Sequence, residues 1–549
     1  MNGGPEHLIV APILIPLITG AVMMLYDERQ RRTKLGLGLA SCGVQLVIAC
    51  LLLLRAEGTA ATGGNAIGLY LLGNWPSPYG IVLVLDRLSA MMLVITGILA
   101  LPAILYAGAG WHQRGQRFHA LFQFLLMGLN GAFLTGDLFN LFVFFEVMLA
   151  ASYALLLHGS GRERVGAGLH YIAVNLTASL MFLLGVAIIY GVTGTLNMAD
   201  LATRIPQLSE ADRPLIHGAC AILGMVFLVK AGAWPLSLWL PGTYMAASAP
   251  VAAVFALLTK LGVYVILRLS LLVFGAGAGV SAGFGADVLI WGGMATVVFG
   301  MTGALAAQAL GRMAANLTLV SSGTMLTIAG FALGQGDAQM LGAGLFYMLA
   351  STTALATLFL LAEPMSREQG AAAVLALSAE LYGVDLSEDE PDPEPQVTGV
   401  FLPGSLTVLG LCFAACTLML AGLPPLAGFL GKFGVLAGAI AGMGDATSSP
   451  ARWVFVTLLL VSGLAAMIAL GRIGMQTFWA AEEDLPAVPT MELLPIMALV
   501  IAGGLVLTVE AEPVMRYMTR TADALLRPEI YIHGVVTAPP VDARAGNGG

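Results

Sequence analysis

The sequence predicts an all-α, polytopic membrane protein of about 14 transmembrane helices. Of its 549 residues, 58% are hydrophobic and only 10% are charged, against roughly 45–50% and 25% in an average soluble domain. A bilayer core requires about 20 apolar residues per helix, and fourteen such stretches run from Leu8–Tyr26 to Leu493–Val509. These apolar runs are continuous rather than alternating, as membrane helices require.

The remaining composition excludes several classes of protein. The formal net charge is -8 and no basic stripe occurs, which excludes a nucleic-acid partner. The five Cys form neither a CxxC pair nor a disulfide framework. The sequence contains no phosphate-binding loop or cofactor fingerprint. We therefore expect the lipid bilayer as the surrounding medium, with no cofactor, no bound metal and no enzymatic catalytic residue.

The distribution of basic residues predicts the orientation in the membrane. Eleven Lys and Arg side chains fall in one set of loops and five in the opposite set. The positive-inside rule places the richer set in the cytoplasm, so both termini are predicted on the non-cytoplasmic side of the cell (inner) membrane. The five residues assigned to the opposite loops are Arg55, Arg204, Arg213, Arg268 and Arg452.

Charged residues inside predicted spans are the strongest functional signal. Lys230, Lys260 and Lys432 lie in apolar spans, and Glu146 lies within a span that has no basic residue of its own. A charge at the bilayer centre costs about 2.5–3.5 kcal/mol on insertion scales, and such residues mark ion pathways. We expect Glu146 to pair with Lys230 and to relay protons, with Lys260 next along the path.

Three titratable residues near span ends are weaker candidates. Asp86 adjoins Arg87 early in span three, where a structural or snorkelling role competes with a functional one. Asp137 borders span five and is either solvated or functional. His170 opens span six close to a cytoplasmic loop, where it could feed protons inward. All three are kept as accessory candidates.

Two broken helices predict an internal repeat. Pro235 follows Lys230 by five residues, and Pro424 with Pro425 interrupts the long apolar stretch that contains Lys432. A broken helix beside a lysine, found twice, points to a transporter with two related halves. We predict two inverted five-helix repeats, at 119–275 (helices 4–8) and 287–473 (helices 9–13), flanked by helices 1–3 at 1–118 and by helix 14 with the tail at 474–549.

Four stretches resemble a known family, the proton-conducting antiporter-like subunits. They are Phe144–Glu146, Val229–Pro241, Ala249–Tyr264 and Gly422–Phe433. The family includes the large membrane-arm subunits of complex I and the A-type and D-type subunits of the Mrp (Pha, Mnh) cation/proton antiporters. The similarity runs over about residues 80–475, and the segment Thr135–Val143 together with a lysine at 432 looks more like the D-type subunit. The resemblance implies that Glu146 and Lys230 are the charged pair of the first half-channel, Lys260 the connecting lysine and Lys432 the terminal lysine.

The eleventh span departs from the family pattern. Family members often carry histidines and a lysine there, whereas this chain has Tyr347, Ser351 and Thr352, and no His occurs between 217 and 533. The second half-channel would then use hydroxyls and Lys432. This substitution and an acidic, Pro-rich insert at 364–400 resemble the Pha form of the D-type subunit. The composition of the insert is typical of a flexible, solvated linker.

The resemblance implies a transporter subunit rather than an enzyme. It would translocate protons within a multisubunit Na+(K+)/H+ antiporter, exchanging H+ for Na+ or K+ only when its sibling hydrophobic subunits are present in a hetero-oligomeric complex. Two alternatives stay open. One is an antiporter-like proton-pumping subunit of a redox-driven complex of the complex I or membrane-bound hydrogenase type. The other is a structural scaffold with a non-conducting remnant channel.

Overall fold

The computed structural model describes residues 6–61, 67–381, 404–444, 449–478 and 488–540. Twelve of the described helices are long and apolar enough to cross a membrane, and three shorter apolar helices accompany them. Two of these helices, Gly404–Ala421 and Ala427–Ala441, are the halves of one broken crossing. The predicted all-α, multi-pass membrane fold is confirmed.

A small hairpin interrupts the N-terminal helices. This region contains α1 (Ala11–Leu25), α2 (Arg31–Ala61), β1 (Gly68–Leu71), β2 (Val82–Leu85) and α3 (Arg87–Ala107). The strands are antiparallel, with Gly68 opposite Leu85 and Leu71 opposite Val82. The third apolar stretch of the sequence, Gly80–Gly108, predicts a membrane helix that begins at Gly80, which is wrong because α3 begins at Arg87. Because all four β2 residues are buried, the strand has a continuous apolar run that periodicity cannot distinguish from a helix.

Three further groups of helices complete the described chain. The first contains α4 (Phe118–Leu134), α5 (Leu138–Leu156), α6 (Arg162–Thr193), α7 (Met198–Arg204), α8 (Arg213–Ala231), α9 (Trp239–Ala246) and α10 (Ala249–Phe274). The second contains α11 (Ala286–Ala306), α12 (Leu310–Gln335), α13 (Ala338–Leu381), α14 (Gly404–Ala421), α15 (Ala427–Ala441) and α16 (Ser449–Phe478). The last contains α17 (Thr490–Val500), a π-helical segment (Ile501–Val506), α18 (Leu507–Val509), α19 (Ala511–Leu526) and α20 (Glu529–Val536).

Helix α13 is longer than the sequence predicts. It continues through Pro364 to Leu381, so the first part of the predicted loop 364–400 is helical. The alanine-rich stretch 371–379 has high intrinsic helix propensity, which the Pro- and charge-based interpretation of the loop underweighted. Residues 382–400 of that loop lie outside the described residues.

Helix α10 occupies the centre of the molecule. Every residue from 249 to 268 is buried, and α10 packs against α3, α8, α12 and α13. By contrast, Leu176, Leu180 and Leu184 of α6 are all exposed, as expected for a helix that faces lipid. Lys260 on α10 is therefore surrounded by protein on all sides.

Two buried arginine–aspartate pairs hold the ends of long helices. Arg268 of α10 donates two hydrogen bonds to Asp86, at 2.6 and 2.7 Å, and Arg452 of α16 donates to Asp337 at 3.0 Å. Each aspartate also accepts a backbone N–H in the first turn of the helix that follows it, from Ser89 in α3 at 2.9 Å and from Met340 in α13 at 3.0 Å. Each aspartate thus serves as a helix N-cap and as a counter-ion for an arginine.

The assignment of Arg268 and Arg452 to solvated loops is therefore wrong. Their side chains are only 8% and 3% exposed. Helix α10 extends beyond Arg268 and α16 begins before Arg452, so both arginines are helical. Their partners lie 182 and 115 positions away in the chain, a separation at which hydropathy carries no information about pairing.

Candidate functional site

The first broken helix ends where the sequence predicts, just before Pro235. Helix α8 stops at Ala231, and Gly232 takes a left-handed conformation with a φ of 72°. The backbone N–H of Gly232 and that of Ala233 both donate to the carbonyl of Leu228. The N–H of Trp234 donates to the Thr296 hydroxyl of α11 at 2.9 Å, so the interrupted backbone remains hydrogen-bonded inside the protein, as a membrane interior requires.

The second broken helix repeats this geometry. Helix α14 stops at Ala421, and Gly422 is left-handed with a φ of 77°. The N–H groups of Gly422 and Leu423 both donate to the carbonyl of Leu418, at 3.0 and 2.9 Å. A glycine that ends the helix in this way is a Schellman-type cap. The two breaks therefore share one pattern of backbone hydrogen bonds.

Lys230 and Lys432 lie on opposite sides of these breaks. Lys230 is in the last turn of α8, before the interruption, whereas Lys432 is in α15, after it. Both side chains are buried, each 7% exposed. The two lysines therefore lie beside similar helix breaks but at different positions relative to them.

The Lys230 ammonium binds a neutral side chain. Its Nζ donates to Oδ1 of Asn175 on α6 at 2.8 Å and lies 5.7 Å from the centre of the Phe145 ring. Glu146 accepts a short hydrogen bond from the hydroxyl of Ser179, also on α6. Among the described residues no ion pair joins Lys230 to Glu146, so the predicted charged pair is not closed in this structure.

Helix α6 supplies the side chains that bind both Lys230 and Glu146. Asn175 and Ser179 are four residues apart, so they lie on one face of the helix, and Tyr171 extends this face by another turn. Tyr171 is hydrogen-bonded to the Ser152 hydroxyl at 3.0 Å. These residues were not predicted from the sequence. A polar residue every four positions in an otherwise apolar span was the available signal.

Lys260 lies in a cluster of hydroxyl groups. Its Nζ donates to Oγ of Ser321 at 2.8 Å and to Oγ of Ser322 at 3.2 Å, both on α12. Ser321 is hydrogen-bonded in turn to Ser351 of α13 at 2.8 Å. Tyr347 is buried on α13, one turn before Ser351. The structure thus brings Ser351, one of the accessory candidates, to the hydroxyl cluster of the lysine that the resemblance describes as connecting the half-channels, with Tyr347 on the adjacent turn.

The other accessory candidates lie elsewhere. Thr352 donates to the carbonyl of Met348 in its own helix at 2.6 Å. Asp137 caps α5, where its carboxylate accepts the N–H of Asn140 at 2.8 Å. Asp86 binds Arg268 as described above, and His170 is exposed on the surface of α6. Within the described ranges, the contacts of these four residues do not extend to Glu146 or to the three lysines.

Lys432 caps the end of the half-helix that precedes it. Its Nζ donates to the carbonyls of Leu420 and Ala421, at 2.7 and 3.1 Å. These carbonyls are at the C-terminus of α14, where the helix dipole places partial negative charge. Gly463 of α16 leaves room for the Ala421 carbonyl, since a Cβ there would lie only 2.6 Å from its oxygen. The break in the helix therefore creates the acceptors that bind Lys432.

Replacement of Gly422 by alanine should disturb Lys432. The left-handed φ of 77° costs a non-glycine residue about 1–2 kcal/mol, and a Cβ at this position would collide with Cδ of Lys432. We expect a lower thermal unfolding midpoint of the purified complex and slower ion exchange. Gly471→Ala in α16 is the control, because nothing lies within 4 Å of a Cβ at that position. Equal midpoints and rates for the two variants would contradict the expectation.

The chain is similar in sequence to known proteins along nearly its whole length. Residues 135–385 match the family model described as NADH:quinone oxidoreductase/Mrp antiporter, TM. The D subunit of a probable K(+)/H(+) antiporter from Rhizobium meliloti is 54% identical over 97% of this chain and 98% of its own. The D subunit of a Na(+)/H(+) antiporter from Bacillus subtilis is 32% identical over 97% and 99%.

Solved structures have the same fold. A chain of the Mrp complex from Dietzia superimposes with a TM-score of 0.76 at 27% identity, covering 97% of this chain and 100% of that one. A chain of respiratory complex I from Thermus thermophilus has a TM-score of 0.72 at 23% identity, covering 95% and 99%, which supports the fold alone. With a 54% identical relative aligned along nearly its whole length, the chain belongs to the NADH:quinone oxidoreductase/Mrp antiporter family, in its group of antiporter D subunits.

Proposed function

We propose that this chain is the proton-translocating subunit of a multisubunit K+/H+ or Na+/H+ antiporter. It is a secondary transporter subunit and not an enzyme, and it works with sibling hydrophobic subunits in a hetero-oligomeric complex. The names of its antiporter relatives and its likeness to a chain of an Mrp complex support this assignment. Protons would pass along the series Glu146, Lys230, Lys260 and Lys432.

The observation that most directly supports this proposal is that all three lysines are buried against neutral oxygen atoms. Lys230 binds an amide, Lys260 two hydroxyls and Lys432 two carbonyls. No carboxylate is within ion-pair distance of them among the described residues. A lysine in this setting has no fixed counter-charge to retain its proton, so it is suited to accept and release protons as its neighbours move. The α6 side chains that bind Glu146 and Lys230 are such neighbours.

The proposed organisation follows the repeated helix break. Residues 119–275 and 287–473 are the two five-helix repeats, with 1–118 before them and 474–549 after them. The matching caps at Gly232 and Gly422 support this division.

The proposed orientation has both termini on the non-cytoplasmic side. Because Arg268 and Arg452 are buried in ion pairs, they no longer count as loop charges on that side. The loops assigned to that side then retain three of their five arginines. By the same criterion Lys34, 3% exposed and paired with Glu28, leaves ten basic residues in the opposite set, so the bias keeps the direction that the positive-inside rule requires.

Ion exchange in vesicles tests the proposed function. A pH gradient is imposed on inside-out vesicles that contain the complete set of partner subunits. The fluorescence of a pH-sensitive dye reports the size of the gradient. We expect KCl or NaCl to discharge the gradient while choline chloride does not, and vesicles without the complex to respond to none of them. Absence of cation-triggered discharge where the complex is present would reject antiport and favour the redox-driven alternative. A 31% identical relative, the N subunit of the NADH-quinone oxidoreductase from Desulforudis audaxviator, keeps that alternative relevant.

A further inference from the structure

A buried network of uncharged polar side chains connects the N-terminal helices to α4. Oε1 of Gln123 accepts from Ser41 at 2.8 Å and from Gln45 at 3.3 Å. Nδ2 of Asn130 donates to Oε1 of Gln45 at 3.1 Å and to the carbonyl of Pro12 at 2.9 Å. All four side chains are at most 5% exposed. The network lies outside the series of Glu146 and the three lysines, so the proposed proton relay does not use it.

The backbone of α1 contributes an acceptor to this network. Pro16 lies inside α1 and has no N–H, so the carbonyl of Pro12, four residues earlier, lacks its usual helical donor. That carbonyl faces Asn130 instead. Its second lone pair is available for another ligand.

A small cavity adjoins these groups. It has a volume of about 10 Å³ and is lined by Pro12, Gln45, Thr96 and Asn130, among others, which is room for about one water-sized sphere. Among the described residues Oδ1 of Asn130 has no hydrogen-bond partner, although the side chain is only 3% exposed. The Thr96 hydroxyl donates its proton to the carbonyl of Met92 at 2.7 Å, which leaves the oxygen lone pairs free. The cavity therefore has four oxygen atoms with spare acceptor capacity, and the amide oxygen of Asn130 is wholly unpaired within the described ranges.

We propose that this cavity binds the monovalent cation that the antiporter exchanges, a proposal that rests on the proposed function. Buried amide, hydroxyl and carbonyl oxygens replace the hydration shell of K+ in membrane proteins. A water-sized sphere matches a dehydrated K+ more closely than the smaller Na+. The described lining contains neither carboxylate nor imidazole, which suits a monovalent ion and disfavours divalent metals. Its one thiol, that of Cys42, accepts a hydrogen bond from Gln123 at 3.7 Å, and a single thiol without an imidazole or a second sulfur is a poor transition-metal site. An unpaired acceptor buried in a membrane protein is costly, and a bound cation would satisfy Oδ1 of Asn130.

A row of buried polar side chains on α4 ends at the cavity. His119, Gln123 and Asn130 are spaced by four and seven residues, which places them on one helix face. Both ring nitrogens of His119 lack partners among the described residues, and the side chain is 3% exposed. We propose that the cation approaches along this face, from the end of α4 where α4 begins at Phe118.

Cation affinity of Asn130 variants tests the proposal. In vesicles that contain the complete complex, the initial rate of discharge is measured against KCl and NaCl concentration, with choline chloride maintaining ionic strength. Asn130→Leu removes the unpaired oxygen at similar volume and should raise the half-saturating cation concentration about tenfold or more. Asn130→Asp removes the Nδ2 donor to Gln45 and Pro12, as the leucine variant does, but it keeps Oδ1 and adds a negative charge. A cation bound here would then be held more tightly, so the half-saturating concentration should fall. The maximal rate should change less than the half-saturating concentration.

Asn316→Leu is the matched control. Asn316 is also 3% exposed, but its amide donates within its own helix, to the carbonyl of Arg312, and the half-saturating concentration should not change. Unaltered cation affinity in both Asn130 variants would overturn the proposal and leave the network as a helix-packing contact. If the Asn130→Leu complex fails to assemble, the half-saturating cation concentration of Asn130→Asp alone tests the proposal. Failure of wild-type complex to exchange cations rejects the proposed function instead.

Discussion

Lys230→Met should abolish cation-triggered proton exchange, with a loss of about 10²-fold or more, as for other positioned proton-transfer groups. Methionine keeps the length and much of the apolar stem of lysine but cannot carry a proton. Methionine removes the desolvation penalty of a buried ammonium, which favours folding. Asn175 loses one donor, which costs about 1–3 kcal/mol, so the net cost to folding should be modest. The measurement is the initial rate of discharge per amount of assembled complex.

Lys230→Arg separates proton transfer from fixed charge. Arginine retains the positive charge and the hydrogen bond to Asn175, but it does not release its proton in proteins. We expect this variant to assemble and to be as inactive as Lys230→Met. Full exchange in the arginine variant would mean that Lys230 acts only as a fixed charge. Full exchange in the methionine variant would remove Lys230 from the proton path.

Arg452→Met should destabilise the protein by about 3–5 kcal/mol, the range for removing one partner of a buried ion pair. The variant leaves the Asp337 carboxylate, 13% exposed, without its guanidinium. It also removes hydrogen bonds from Arg452 to Gln335 at 3.0 Å and to the carbonyls of Gly438 and Ala439 at 3.2 Å. The thermal unfolding midpoint of the purified complex should fall, and less complex should be recovered.

A double variant distinguishes unpaired charge from lost packing. Arg452→Met combined with Asp337→Leu removes both charges, and we expect it to recover a substantial part of the lost stability. The exposed pair of Arg516 and Glu512 in α19 is the control, because surface pairs contribute at most about 1 kcal/mol, so Arg516→Met should leave the midpoint nearly unchanged. A midpoint for Arg452→Met equal to that of this control would contradict the structural role of the buried pair.

The charged residues of the candidate site were predictable from the sequence, whereas the neutral side chains that bind them were not. Lys230, Lys260 and Lys432 are found from sequence because a charge in an apolar run is costly enough to need a reason. Asn175 and Ser321 are not found, since polar uncharged residues are common in membrane helices and only the packing of α6 and α12 shows which lysine each one faces. The expectation of a pair between Glu146 and Lys230 did not foresee that Asn175 and Ser179 of α6 bind these two charges.

Helix ends were the least predictable part of the fold. Prolines identified both helix breaks, because the missing N–H acts locally. Arg268 and Arg452 were misplaced because the sequence around an arginine near a span end looks the same whether the arginine faces water or a buried aspartate. Pairing between residues more than a hundred positions apart requires knowledge of which helices are neighbours.

The enclosure of α10 has a consequence for biogenesis. A helix inserted by the translocon first contacts lipid, yet the final surroundings of α10 include α12, α13 and α19, all of which are synthesised later. The amino-terminal half of the chain therefore reaches the bilayer before the segments that surround α10 exist. Chains truncated after α10 would present Lys260 to hydrocarbon without its serine partners. Completion of the amino-terminal half should thus wait for translation of the carboxy-terminal half, which makes the two halves a single unit of assembly.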